Sequence, residues 1–248
     1  MENLLLDKLK LILDSSSNIV FFGGAGVSTE SGIPDFRSEN GLYGEDVQYA
    51  YPPEVMLSLN FFRKHTAEFY RYYREKMIHL EAKPNGAHLA LAHMEKMGKL
   101  KAVITQNIDG LHQKAGSRNV LELHGSIYRN HCMTCGEAYS IDVILDITNK
   151  VPCCPECGGR IKPDVVLYEE SLDNEVVNKA IHYIHEADVL IIGGTSLAVY
   201  PAAGLINYYT KDKLILINKS QTAYDAKADL VIRDSVGKVL TACISPLD

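Results

Sequence analysis

The 248-residue sequence has no tryptophan, and none of its apolar runs reaches the roughly 18 residues that a membrane-spanning helix needs. We therefore expect no membrane span. The sequence also has no surplus of positive charge, because 25 lysine and arginine residues face 31 aspartate and glutamate residues, for a formal net charge of −6. This balance argues against a general nucleic-acid-binding surface, so we expect no direct binding to nucleic acid.

The first 16 residues contain acidic side chains and no cleavage site made of small residues. Both features argue against a signal peptide, so we expect a cytoplasmic protein. Disulfides are rare in that compartment. The six cysteines are therefore expected to be thiols or metal ligands.

Four of the cysteines form two Cys-x2-Cys knuckles, which are separated by 18 residues. This spacing is typical of a zinc site, and the predicted ligands are Cys132, Cys135, Cys154 and Cys157. Cys153 competes with Cys154 for this role, but the two-residue spacing favours Cys154. Because four thiolates complete a tetrahedron and leave no position for a catalytic water, we predict one structural Zn²⁺.

Short apolar runs alternate with helical segments along most of the chain, which is typical of an α/β fold with a parallel sheet covered on both faces. Residues 52–80 are predicted to be helical and are the most aromatic stretch. A further helix is predicted to be capped by Asn85 and to run to Met97, with Gly98 as its stop. The predicted strands cover residues 19–22, 102–104, 120–123, 164–168, 189–192, 214–217 and 230–232.

Glycine-rich turns follow two of the predicted strands, at residues 23–26 and 193–196. Glycines after a strand let backbone N–H groups approach a phosphate. The usual dehydrogenase pattern G-x-G-x-x-G is broken, because Thr29 replaces its third glycine. Asn218, at the end of a third strand, stands in for the acidic residue that usually binds the ribose. The sequence indicates a dinucleotide site of uncommon type.

Residues 105–125 bring several polar side chains to the ends of two neighbouring strands. Gln106, Asn107 and Asp109 follow the first strand, and His124 follows the second. Ligands of open parallel sheets collect beyond the carboxyl ends of the strands, so we expect these side chains to share one crevice. An amide pair, a carboxylate and an imidazole can hold a polar ligand and move a proton.

A series of motifs, taken together, resembles the sirtuin family of NAD-dependent protein lysine deacylases. In chain order they are GAGVSTESGIPDFR (24–37), TQNIDGLH (105–112), ELHG (122–125), the paired cysteine knuckles, GGTSLAVYP (193–201) and ILIN (215–218). The resemblance implies a Rossmann-like NAD-binding domain made of residues 1–35, 81–127 and 160–248. It also implies a small domain made of a helical module (36–80) and a zinc ribbon (128–159), with NAD and an acyl-lysine peptide bound in the cleft between the two domains.

The resemblance also implies individual roles. His124 is the expected general base, and Asn107 is expected to orient water or hydroxyl groups beside it. Residues expected to contact NAD are Gly24, Ala25, Thr29, Phe36, Arg37, Gln106, Ile108, Asp109, Thr195, Ser196, Asn218 and Val236. Residues expected to contact the substrate are Val166, Tyr168, Leu197 and Val199.

The expected reaction converts acetyl-lysine and NAD into lysine, nicotinamide and O-acetyl-ADP-ribose. Members that remove acidic acyl groups carry Tyr-x-x-Arg in the aromatic helix, whereas here Tyr73 stands at the arginine position and Arg74 lies one residue further on. One step is about 100° on a helix, so we predict a neutral acyl group. Acetyl is the first choice, and longer fatty acyl groups are an alternative.

Three other activities stay open at this point. Mono-ADP-ribosyl transfer uses the same glycosidic cleavage. A hydride-transferring dehydrogenase is disfavoured by the missing glycine at Thr29 and by Asn218. A zinc ribbon that binds nucleic acid or protein without catalysis is disfavoured because the ribbon has no basic stripe.

Overall fold

The computed structural model describes residues 2–36, 41–42 and 49–244, so the predicted site residue Arg37 lies outside the described residues. The chain forms, in order, α1 (Glu2–Asp14), β1 (Ile19–Gly23), two 3₁₀ helices (Ala25–Val27 and Thr29–Ser31), α2 (Pro53–Met56), α3 (Leu59–Lys64), α4 (Thr66–Lys76), α5 (Gly86–Lys96), β2 (Leu100–Thr105), α6 (Leu111–Lys114), β3 (Val120–Glu122), β4 (Gly125–Cys132), β5 (Ala138–Tyr139), α7 (Asp142–Leu145), β6 (Ile161–Val165), α8 (Asn174–Glu186), β7 (Val189–Gly193), a 3₁₀ helix (Ala202–Tyr208), β8 (Leu214–Ile217), a 3₁₀ helix (Asp225–Lys227), β9 (Leu230–Ile232) and α9 (Val236–Cys243).

Six strands form a parallel sheet in the spatial order β3, β2, β1, β7, β8, β9. This is the order of the Rossmann fold, in which the chain builds outward from a central strand first on one side and then on the other. The point where the direction reverses lies between β1 and β7, whose last residues Gly23 and Gly193 pair. The sheet confirms the predicted α/β fold class.

Both faces of the parallel sheet are covered, because successive residues of a strand point to opposite faces. In β1, Phe21 belongs to a buried apolar cluster with residues of α1, α5 and α9. Phe22 belongs to a second buried cluster, with residues of α8 and of the 3₁₀ helix Ala202–Tyr208. A strand buried on both sides needs a continuous apolar run, and the sequence Ile-Val-Phe-Phe supplies it.

Helix α5 begins where the sequence predicts and ends at Lys96, one residue before the predicted end at Met97. The Asn85 side chain accepts a hydrogen bond from the Ala87 N–H at 2.9 Å, and the Asn85 backbone N–H donates to His88 Nδ1. Gly98 follows the helix with φ +74°, a left-handed conformation that glycine adopts without strain. The cap and the stop are both local signals, which explains why the sequence located them.

The strand predicted over residues 164–168 is wrong in its bounds and in its sheet. β6 covers Ile161–Val165 and pairs antiparallel with β4, and β5 completes a three-stranded sheet in the order β5, β4, β6. A short apolar run in the sequence does not determine which sheet the strand will join. The chain leaves His124 through β4 and returns through β6, so the two strands meet as neighbours.

The small antiparallel sheet shares a third apolar cluster with α2, α3, α4 and α7. Helices α3 and α4 contribute the fully buried rings of Phe62, Phe69, Tyr70, Tyr72 and Tyr73. This packing is consistent with a small domain of a helical module and a ribbon, although the small sheet spans residues 125–165 and extends beyond the ribbon predicted over 128–159. The division into domains stays a prediction. Among the described residues, no helix has the length and apolar character needed to cross a membrane.

Candidate active site

A cavity of about 920 Å³ opens beyond the carboxyl ends of β1 and β7, where the strand order reverses. Its walls come from the loops of the parallel sheet and from the small antiparallel sheet with its helices. Of the predicted site residues outside the cysteine cluster, those that line it are Gly24, Ala25, Thr29, Phe36, Gln106, Asn107, Ile108, Asp109, His124, Val166, Tyr168, Thr195, Ser196, Val199, Asn218 and Val236. The cavity therefore brings together residues that are far apart in sequence.

Two glycine loops touch each other at the base of the cavity. The Gly26 N–H donates to the Gly194 carbonyl at 2.8 Å. A Cβ atom on Gly26 would lie 2.8 Å from the Gly194 oxygen, and one on Gly194, where φ is +58°, would lie 2.4 Å from the Val27 nitrogen. Only glycine permits this approach. The Ala25 and Ser196 N–H groups have no partner among the described residues and are left to bind an anion.

The loop after β1 is fixed by contacts with distant segments. The Asn85 side-chain amide donates to the Val27 carbonyl at 2.8 Å and to Ser31 Oγ at 2.9 Å. The Glu30 carboxylate accepts from the Gly237 N–H at 2.9 Å, at the start of α9. A carboxylate is favourable at this end of a helix because it satisfies N–H groups that lack helical partners. The sequence predicted the loop but not these hydrogen bonds to Asn85 and to α9.

The buried hydroxyl of Ser28 connects the first glycine loop to the side chains of Asn107 and Asp109. Ser28 Oγ donates to Asp109 Oδ2 at 2.6 Å and accepts from Asn107 Nδ2 at 3.0 Å. The Leu111 N–H donates to Asp109 Oδ1 at 2.9 Å. Each carboxylate oxygen can accept two hydrogen bonds, so both retain capacity for a ligand. Sequence reasoning missed Ser28, and its only signal was a hydroxyl within the glycine loop.

His124 is held by one ring nitrogen. Its Nδ1 lies 2.9 Å from the Gln106 carbonyl oxygen, which can only accept, so Nδ1 carries the proton. In the neutral ring Nε2 is then the free basic nitrogen. Burial lowers the pKa of His124, while the hydrogen bond to Gln106 raises it and offsets part of that effect. A half-buried imidazole that is neutral near pH 7 can accept a proton from a ligand in the cavity.

Gln106 also connects the second glycine loop to the site. Its Nε2 donates to Thr195 Oγ1 at 3.0 Å, and Thr195 Oγ1 in turn accepts from the Leu197 N–H at 3.2 Å. At the other end of the cavity Asn218 Nδ2 donates to the Ser220 carbonyl at 2.9 Å. This leaves the Asn218 side-chain oxygen as an acceptor for a ligand hydroxyl.

The predicted substrate residues divide into two groups. Val166, Tyr168 and Val199 line the cavity. Leu197 does not line it, because the residue is 4% exposed and packs in the apolar cluster on the α8 face of the parallel sheet. Leu197 has φ +55°, and this left-handed turn directs its side chain into the core. Its backbone still lies between Ser196 and Val199 at the cavity edge.

The four predicted metal ligands meet outside the cavity. All four sulfur atoms lie within 4.8 Å of one another, with Cys132 and Cys157 at 3.4 Å and Cys135 and Cys154 at 3.7 Å. Four thiolates at about 2.3 Å from a tetrahedral Zn²⁺ would be separated by about 3.8 Å, so this set fits one structural zinc ion. Gly136 and Gly158 follow the knuckles with φ +77° and +71°. Cys153 is exposed and is not in the cluster.

Comparisons with known proteins identify relatives of this chain. The model of the Sir2 family matches residues 24–201. The NAD-dependent protein deacetylase of Clostridium acetobutylicum is 63% identical over 244 residues, which cover 97% of this chain and all of the relative. The protein of that name from Staphylococcus aureus is 43% identical and covers 97% of this chain and 98% of its own length.

Solved Sir2 structures have the same fold. A structure described as Sir2 with a p53 peptide and NAD⁺ has a TM-score of 0.83 and 38% identity, and covers 95% of each chain. A Sir2 variant with a deacetylated p53 peptide and 3′-O-acetyl ADP ribose has a TM-score of 0.88 and 36% identity, and covers 97% of this chain and 99% of that chain. These matches confirm the predicted resemblance, and the chain belongs to the Sir2 family.

Proposed function

We propose that this protein is an NAD-dependent protein lysine deacetylase with His124 as its general base. The names of its relatives and the ligands of the solved Sir2 structures support the activity. The observation that carries the assignment of the base is the hydrogen bond between His124 Nδ1 and Gln106, which leaves Nε2 basic at the cavity wall. Among the described residues, one other histidine lines the cavity, His79, which follows α4 and whose Nε2 already lies 3.1 Å from the Lys76 carbonyl oxygen.

The donors around the cavity fit NAD. The free N–H groups of Ala25 and Ser196 suit its phosphates, and the Asn218 oxygen suits a ribose hydroxyl. Asp109, with an open acceptor site on each oxygen, suits the nicotinamide amide. When bound, NAD would supply a ribose carbon whose bond to nicotinamide breaks as it forms a bond to the acetyl oxygen of the substrate, and water would complete the release of lysine and O-acetyl-ADP-ribose.

His124 then acts as a proton acceptor. Nε2 would take the proton of a ribose hydroxyl, and the Gln106 carbonyl would stabilise the resulting imidazolium through its hydrogen bond to Nδ1–H. General base catalysis of this kind contributes about 10²- to 10⁴-fold in rate. Asn107 is held by Ser28, which fixes its amide beside Asp109 and favours its role in orienting hydroxyl groups.

The positions of the cationic side chains of α4 support a neutral acyl group as the one that is removed. Arg74 donates to the carbonyls of Ile144, Asp146 and Asn149, so its guanidinium holds the loop after α7. Tyr73 is fully buried and does not line the cavity. Lys76 does line the cavity, but it pairs with Glu75 at 3.7 Å. Acetyl is the acyl group proposed, and the apolar contacts of Val166 and Val199 also suit a longer chain.

The test is His124→Ala with an acetyl-lysine peptide and NAD, followed by mass spectrometry. We expect wild type to release nicotinamide, deacetylated peptide and O-acetyl-ADP-ribose. The variant should lose about 10²- to 10⁴-fold in turnover while its circular dichroism and zinc content stay unchanged. Full turnover by the variant would remove His124 from this role. Formation of NADH would indicate a dehydrogenase, and ADP-ribose attached to protein would indicate mono-ADP-ribosyl transfer.

The expected cytoplasmic location and the absence of direct nucleic-acid binding stay proposals. Reduced metal-binding cysteines and a net charge of −6 support them.

A further inference from the structure

In the turn that follows the Val166–Tyr168 segment, Glu169 adopts a backbone conformation that favours glycine. The Glu170 N–H donates to the Leu167 carbonyl at 3.0 Å, so residues 167–170 form a β-turn. Glu169, the third residue of this turn, has φ +76°. A type II turn calls for glycine at this position, because the Cβ atom of other residues crowds the backbone. Local preference therefore does not explain a glutamate here.

The Glu169 side chain is anchored by one oxygen and free at the other. Its Oε2 accepts a hydrogen bond from the Asn60 N–H at 3.0 Å, at the start of α3. Its Oε1 has no hydrogen-bond or ion-pair partner among the residues that the structure describes. Glu169 is exposed and lines the cavity on the side of the predicted substrate residues. A single anchor thus holds a negative charge at the cavity mouth.

Other carboxylates that line the cavity already have ion-pair or hydrogen-bond partners. Glu170 pairs with Lys162 at 2.9 Å and accepts from the Leu167 N–H at 2.8 Å. Asp234 pairs with Lys238, and Asp109 binds Ser28 and the Leu111 N–H. By contrast, no cation neutralises Glu169 among the described residues. Its charge is available to a bound molecule.

We propose that Glu169 selects a basic side chain next to the acetyl-lysine, so that this enzyme prefers acetylation sites in arginine- or lysine-rich sequence. The proposal rests on the proposed function, because it places the peptide along Val166–Tyr168. An arginine that flanks the acetyl-lysine donates to the free Oε1, while Oε2 keeps its bond to Asn60. The pair is exposed, so its contribution is modest and falls as salt screens it.

The experiment compares two acetyl-lysine peptides that differ only in whether the flanking residues are arginine or alanine. Binding is measured by fluorescence anisotropy, and deacetylation is measured with NAD. We expect wild type to bind the arginine peptide about two- to five-fold more tightly than the alanine peptide. Glu169→Gln keeps an oxygen for the Asn60 N–H but removes the charge, so the ratio should fall to about one. High salt should reduce the wild-type ratio in the same way.

Glu175→Gln is the matched control, because Glu175 is exposed on α8 and does not line the cavity. It removes the same charge and should keep the wild-type ratio. Equal binding of both peptides by wild type, or an unchanged ratio in Glu169→Gln, would overturn the proposal. If wild type deacetylates neither peptide, the proposed function itself fails, whereas deacetylation of both at equal rates contradicts only the role of Glu169.

Discussion

The parallel sheet and the small antiparallel sheet reach stability in different ways. The parallel sheet is covered by two apolar clusters, and every residue of β1 and β7 is buried. The small sheet has one short strand of two residues, β5, and its ends are held by four cysteines that can share a zinc ion. Three strands of this size with long loops do not enclose a core by themselves, so the metal replaces part of the apolar packing.

The comparison also explains where the ionisable groups lie. The parallel sheet has enough apolar cover to bury two histidines beside the cavity loops, His88 and His112, with ring centroids 4.7 Å apart. The small antiparallel sheet and the helices packed against it instead bury tyrosines, whose rings supply apolar area to a core that is otherwise small. Each region should therefore respond to a different perturbation: metal removal for the small sheet, and acid for the parallel sheet.

The largest expected effect comes from breaking the zinc site. Cys154→Ser should lose zinc, unfold the small sheet and abolish deacetylation, because structural zinc contributes about 10–16 kcal/mol of apparent binding energy in small zinc modules. Cys153→Ser changes the neighbouring thiol, which is exposed and outside the cluster, and should behave as wild type. Zinc content by atomic absorption and hydrogen exchange in β4–β6 measure the result. Retained metal in Cys154→Ser would assign Cys153 as the ligand.

A smaller effect is expected from acid, through the buried pair of histidines. Burial, and then the neighbouring His88, lower the pKa of His112 from 6.5 to about 3. A histidine with a lowered pKa binds its proton in the unfolded chain first, so the folded state loses stability as the pH falls from about 6.5 towards 3. His112→Leu removes this loss, which is at most about 1.4 kcal/mol per pH unit.

Urea unfolding at pH 7 and pH 5 measures this difference. Wild type should lose roughly 2 kcal/mol more than His112→Leu between the two values. His182→Gln is the control, because His182 is exposed on α8 and should follow wild type. Equal losses in wild type and His112→Leu would show that His112 is not the group that titrates, and zinc loss at pH 5 is common to all three chains.

The smallest effect is expected from the tyrosines of α4. The Tyr73 hydroxyl is buried without a hydrogen-bond partner among the described residues, and burial raises its pKa. Tyr73→Phe should leave stability unchanged or raise it by up to about 1 kcal/mol, because it removes an unsatisfied polar group. The Tyr70 hydroxyl donates to the Ile161 carbonyl, so Tyr70→Phe should lower stability by about 1 kcal/mol. The free energy of unfolding in urea, measured for both variants, tests this. A loss of stability in Tyr73→Phe together with a gain in Tyr70→Phe would contradict the prediction.

Local signals made most of the fold predictable. The apolar runs of the six parallel strands, the Asn85 cap, the Gly98 stop and the two cysteine knuckles each act within a few residues. The strand around residue 164 was misplaced because its partner is set by the path of β4, which no local signal describes. Ser28 was missed as a site residue for a similar reason, since its role depends on Asp109, 81 positions away.

The sequence by itself determined which residue types stand at the strand ends, and through them the family, the sheet and the metal ligands. Only the tertiary structure decided which atoms of those residues remain free to act. Nε2 of His124 is basic because Nδ1 binds Gln106, 18 positions earlier, and one oxygen of Glu169 is free because the other binds Asn60, 109 positions away. A hydrogen bond consumes one donor and one acceptor, so the chemistry left to a side chain is fixed only when its distant partners are in place.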